Sequence, residues 1–229
     1  MADTALLAAW KRFSTNNRNL QQFGQSDDES TFNGATGCTH TVLQRLVKAK
    51  TGVYYSHDRI SSIAGYPTAA NNPGRRGMYP SEVQRVVNHF GLPYRYKSNP
   101  TWTEIVDGMK RGPVLVGIIY GYWPEWVGYK YGGTKADGKP GGYAYRNGKT
   151  QLTGFEKGRH AVLFLGRKTV DGVWRIIANE PNHGSSSRPE KPDWDVVRSA
   201  YARRAWEQFS TSGTRFAWLP TTTFKPKGY

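Results

Sequence analysis

Gly37-Cys38-Thr39-His40-Thr41-Val42-Leu43-Gln44-Arg45-Leu46-Val47 is the stretch on which the reading of this chain turns. Val42, Leu43, Leu46 and Val47 recur at the i, i+3/i+4 spacing of a helix with one apolar face. Cys38, the only cysteine among 229 residues, then falls in the first turn. There, backbone N–H groups without intrahelical acceptors and the positive end of the helix dipole favour a thiolate. Far downstream, Gly158-Arg159-His160-Ala161-Val162-Leu163-Phe164-Leu165 sets a histidine at the head of an apolar strand. One cysteine at a helix start and a distant strand histidine match the pattern of a thiol nucleophile and its base. A lone cysteine also serves as a small buried hydrophobe, and a strand histidine as a core residue. The neighbourhood decides between these readings.

Working outward, residues 1–24 read as an N-terminal helical extension clamped by Trp10, Phe13, Leu20 and Phe23, and Gln25 to Gly37 as a turn-rich loop. A short helix is predicted over Asp58–Ala64, with a break at Asn71 to Gly77. Pro80 and Ser81 open a helix with Val83, Val86, Val87 and Phe90 on one face, closed by Gly91. Leu92–Tyr96 reads as a short strand. Thr101 caps Trp102–Arg111, with Glu104 as its capping-box partner, and Pro113–Tyr120 reads as a buried strand. Residues 121–158 form a long insertion loop rich in Gly, Tyr and Lys. Strands follow at Ala161–Gly166 and Val173–Ala178, joined by a turn at Val170-Asp171-Gly172. Asp195–Phe209 reads as a helix and Arg215–Leu219 as a last strand, within a C-terminal elaboration spanning 185–229. No internal repeat or clean linker interrupts 1–229, so one domain is expected. Helices first and an antiparallel sheet after them make the class α+β.

Composition narrows the partners. Thirty-two basic against 17 acidic residues leave a net charge of +15, which calls for a polyanionic partner or setting. Eight tryptophans and 14 tyrosines offer stacking surfaces for sugars or bases. No nucleic-acid-binding motif is present, so nucleic acid is not the expected partner. One cysteine excludes an intramolecular disulfide, and the five scattered histidines show no metal-ligand spacing. Neither metal nor cofactor is called for. No stretch reaches transmembrane length, and the first ten residues lack the basic leader and apolar run of a signal peptide. A soluble protein without membrane insertion is expected.

Acyl transfer by a thiol needs a nucleophile, a base, a group that orients the base, and donors for the oxyanion. Cys38 is the candidate nucleophile and His160 the base, with His183 in reserve. The orienting group should come from the end of the strand paired with the histidine strand, where Asn179-Glu180 falls. Successive strand residues face opposite ways, so only one of the two faces His160. Glu180, on the more uniformly apolar side with Trp174, Ile176 and Ala178, is preferred, and Asn179 stands as the alternative. The Cys38 N–H and the Asn33 side-chain amide are the candidate oxyanion donors. Within 121–158, Trp123, Trp126 and Tyr129 are the candidate substrate contacts. That loop could equally pack against a neighbouring subunit.

These motifs resemble those of the papain-like cysteine peptidases. They are most similar to the bacteriocin-processing (double-glycine) peptidase family as found in phage and bacterial lytic proteins. The likeness rests on Gly37-Cys38, Tyr79-Pro80-Ser81-Glu82-Val83, Arg111-Gly112-Pro113-Val114-Leu115-Val116, His160-Ala161-Val162 and Asn179-Glu180-Pro181, in that order, and covers about Asn33 to Pro181. Thr39-His40 replaces the family's Gly-Pro, Glu180 its aspartate, and Asn33 its glutamine. The resemblance implies a papain-like fold, with the nucleophile at a helix start packed on an antiparallel sheet. It further implies hydrolysis of peptide bonds, with the peptides of bacterial cell-wall peptidoglycan as substrate. The setting expected is a phage lytic or virion tail protein, held with other tail proteins in the virion or in the host cytoplasm before release. A non-catalytic virion protein that keeps the fold and binds a polyanion is the alternative.

Overall fold

A computed structural model of the chain describes residues 4–17, 37–67, 77–119, 125–126, 143–144, 159–170, 172–179, 195–209 and 214–229. In chain order these form α1 (Thr4–Asn16), α2 (Cys38–Thr51), α3 (His57–Ala64), α4 (Pro80–His89), β1 (Tyr94–Ser98), α5 (Trp102–Gly108), β2 (Val114–Ile119), β3 (Glu125–Trp126), β4 (Tyr143–Ala144), β5 (Arg159–Val170), β6 (Val173–Asn179), β7 (Asp195–Arg198), α6 (Ser199–Glu207) and β8 (Phe216–Pro220). The class is α+β, as predicted. None of the described helices is long and apolar enough to cross a membrane.

Local chemistry explains most boundaries. In α3 the Ser56 hydroxyl accepts from the Arg59 N–H at 3.2 Å, and Gly65, at φ 63°, ends the helix in the left-handed region. Glu82 accepts from the N–H of the N-cap residue Tyr79 at 2.6 Å, and Pro80 is the first residue of α4. Thr101 and Glu104 form the predicted capping box, with N–H to oxygen distances of 2.8 and 3.2 Å.

Six described strands form one antiparallel sheet in the order β1-β8-β2-β5-β6-β7, and β3 pairs with β4 separately. The strands read as unbroken apolar runs because helices cover both faces. On one face Leu115, Ala161, Leu163, Leu165, Ile177 and Trp218 pack with residues of α1 to α4. On the other, Val114, Val116, Ile118, Val162, Phe164, Ile176, Ala178, Ala217 and Leu219 pack with α5 and α6. Alternation along each strand assigns the side chains to one face or the other. Gly117 shares the first face with Leu115 and Ala161, and a Cβ there would run into the Phe209 ring.

Two elements depart from expectation. Asp195–Arg198 is a strand, because Val196 and Val197 pair with Ile177 and Ile176, and the helix begins only at Ser199. The strand predicted at Leu92–Tyr96 lies two residues later, since Tyr94 to Ser98 pair with Pro220 to Phe216. In the N-terminal stretch Trp10 and Phe13 are buried as predicted. The Trp10 indole N–H donates to the Phe224 carbonyl at 2.9 Å and its ring meets Phe224 edge-on. Leu20 and Phe23 lie outside the described residues.

Candidate functional site

Cys38 is the first residue of α2, behind a Gly37 that supplies no side-chain cap. The helix packs its apolar stripe on β5, which sets the Cys38 sulfur at the head of that strand. There the thiol is hydrogen-bonded to the His160 side chain and to the backbone of Ala161, whose N–H can donate to a thiolate. The Thr39 hydroxyl lies 3.9 Å from Sγ. Both Cys38 and His160 are buried, at 7% and 5% exposure. Burial pushes the thiol pKa up, but the hydrogen bond and charge of His160, then the Ala161 and Thr39 contacts, outweigh it and hold the thiol below its ordinary value. A thiol so placed is the stronger nucleophile at neutral pH.

Asn179 ends β6 opposite Leu163, three residues along β5 from His160. Its side-chain oxygen accepts from Arg45 Nη1, and both residues are almost fully buried. Because Arg45 belongs to the helix that Cys38 opens, this bond ties α2 to the end of β6. Alternation places Asn179 with Ile177 on the α2 side of the sheet and Ala178 on the other. The companion candidates Glu180, Asn33, Trp123, Tyr129 and His183 lie outside the described residues. Trp126 sits in β3 opposite Tyr143.

Arg45 is the residue that reading the sequence overlooked. Cys38, Val42, Arg45 and Ala49 recur at i, i+4, i+7 and i+11, the stripe α2 turns inward. A charged residue inside such a stripe must be partnered in the core, and that spacing was the available signal. His40 is fully buried, with its ring edge-on to Tyr66 at 4.9 Å and to His57 at 5.8 Å. Burial first, and the neighbouring His57 second, hold it well below the ordinary histidine pKa. His57 Nε2 lies 3.1 Å from the Thr41 hydroxyl, which also donates to the Gly37 carbonyl at 3.1 Å. Burial and Arg45 lower the His57 pKa to about 4 against the opposing pull of Asp58.

The arrangement can deliver a thiolate and, from an imidazole in contact with it, a proton. Among the described residues no group of three His, Cys, Asp or Glu is placed to hold a metal ion. No family model matches the sequence, and no curated protein matches it. Among solved structures, the chain is similar to a Bacillus anthracis protein provisionally described as a C39-like peptidase. The two share 14% identity at a TM-score of 0.46, over 82% of this chain and 90% of that one.

Proposed function

We propose that this chain is a papain-like cysteine peptidase or amidase that hydrolyses peptide bonds in bacterial cell-wall peptidoglycan, as a phage lytic or virion tail enzyme. The observation that carries the reading is the pair itself: a buried cysteine at a helix N-terminus, hydrogen-bonded to a strand histidine, with its pKa lowered. In this reading the Cys38 thiolate attacks the carbonyl carbon of the scissile amide. Negative charge moves to the carbonyl oxygen, where the Cys38 N–H and the Asn33 amide donate to it. The His160 imidazolium passes its proton to the leaving amine, and a thioester remains on Cys38. Water, deprotonated by His160, then attacks the thioester carbon, releases the acid and restores the thiol. Glu180, or Asn179 in its place, holds the imidazole ring, and Trp123, Trp126 and Tyr129 contact the polymer. The surplus of 15 positive charges suits an anionic wall.

Zymography on purified cell walls tests it. The protein should clear walls and Cys38→Ala should not, while both melt at similar temperatures. Clearing by Cys38→Ala, or none by a wild type whose thiol reacts slowly with alkylating agents, would refute the proposal.

A further inference from the structure

A row of like charges crosses the turn end of the sheet. Lys168 on β5 stands directly opposite Arg175 on β6. Residues paired in this way share one face of the sheet, here the face that α1 covers. Gly166, two residues before Lys168, lies under Leu7, whose Cδ1 would sit 3.0 Å from a Cβ at that position. One helical turn beyond Leu7, Lys11 joins the row. Its amine is held below the ordinary lysine range by burial and then by the charge of Lys168. Like charges set opposite one another on a sheet destabilise it. Neither Lys168 nor Arg175 pairs with a carboxylate among the described residues. The Arg175 Nε is buried without a hydrogen-bond acceptor. A fold that carries this repulsion and an unsatisfied guanidinium nitrogen has the makings of an anion site.

We propose that Lys11, Lys168 and Arg175 bind phosphate groups of a polyol-phosphate polymer, at the end of β5 remote from His160. Eight residues of strand separate Lys168 from His160, roughly 26 Å at about 3.3 Å per residue. Guanidinium and ammonium groups side by side match the oxygens of a phosphate, and a row of them matches a repeating polyanion rather than a single ion. The exposed aromatic of this hairpin, Trp174, lies on the opposite face beneath the Arg167 guanidinium at 4.0 Å. Among the described residues of this hairpin, the cationic row therefore has no aromatic beside it of the kind that a base-bearing strand stacks on. This inference is independent of amide hydrolysis: the site would hold polymer whether or not Cys38 is a nucleophile.

Binding of the full chain to purified poly(glycerol phosphate), with oligo(dT) and inorganic phosphate as parallel probes, tests it. The protein should bind poly(glycerol phosphate) more tightly than either comparison probe. Its affinity should fall with salt, and each cation removed should reduce the salt slope by about 1. Lys168→Gln with Arg175→Gln should weaken binding about tenfold or more, and Arg175→Lys should retain most of it. The double variant should melt no lower than wild type, since it relieves repulsion, and its Cys38 should alkylate at the wild-type rate. Undiminished polymer binding by the double variant would overturn the site. Tighter binding of oligo(dT) through the same residues would overturn the polymer's identity, and binding of free phosphate alone would overturn the need for a polymer.

Discussion

Replacing Arg45 by methionine isolates the bond between α2, the helix that Cys38 opens, and β6. The methionine keeps most of the side chain's apolar stem, so cavity formation contributes little and the guanidinium bond dominates. Asn179, 2% exposed, then keeps a buried carbonyl oxygen that has lost its charged donor. Removing one partner of a buried charged hydrogen bond costs about 1–3 kcal/mol, whereas removing both together is close to neutral. Arg45→Met should therefore lower unfolding stability by about 2 kcal/mol, and for a chain of this size each kcal/mol moves Tm by roughly 2–4 °C. Adding Asn179→Leu should recover at least half of the loss. Urea unfolding of the wild type, both single variants and the double variant gives the coupling directly. An Arg45→Met protein as stable as wild type, or strictly additive losses in the double variant, would refute the tether. The cycle also separates structure from chemistry, because an Asn179 variant that loses activity only through this bond would lose stability in step.

Three further outcomes follow from the geometry. The pH midpoint of Cys38 alkylation should lie below that of an ordinary thiol. In His160→Ala it should rise above the ordinary value, because burial persists while the main opposing contacts are gone; turnover should fall about 10²–10⁴-fold, and an unmoved midpoint would remove His160 from the site. His57 titrates at about 4 in the fold against 6.5 unfolded, so its contribution is complete above pH 6.5 and is lost as the pH falls from 6.5 to 4. The full shift is worth about 3 kcal/mol, and His57→Gln should flatten stability against pH across that window; an unchanged slope would contradict the assignment. Gly117→Ala should cost about 1–3 kcal/mol by driving a methyl into the Phe209 ring, and Phe209→Leu in the same chain should return part of it; a neutral Gly117→Ala would show that the ring moves aside freely.

Much of the candidate site was legible because its signals are local. The start of α2 is written in Gly37-Cys38 and the apolar spacing after it, and the head of β5 in Arg159-His160 before Ala161 to Leu165. Caps and turns were equally plain, as at Thr101 with Glu104 and at Gly172, whose φ of 70° suits the β5–β6 turn. What these stretches determined was the identity of each element and the residue it presents at its end. Tertiary structure decided which ends meet. β8, in the last fifteen residues of the chain, inserts between β1 and β2, a neighbourhood no local pattern encodes, because strand pairing depends on partners distant in sequence. The same holds for Asp195–Arg198, whose two valines suit a helix interior or a strand until Ile176 and Ile177 lie beside them. Arg45 shows the limit most clearly. Its place in the inward stripe of α2 declares that a buried partner must exist, but only the packing of that helix across the sheet delivers Asn179 to it. A hydrogen bond between residues 134 positions apart is set by the fold of the chain between them.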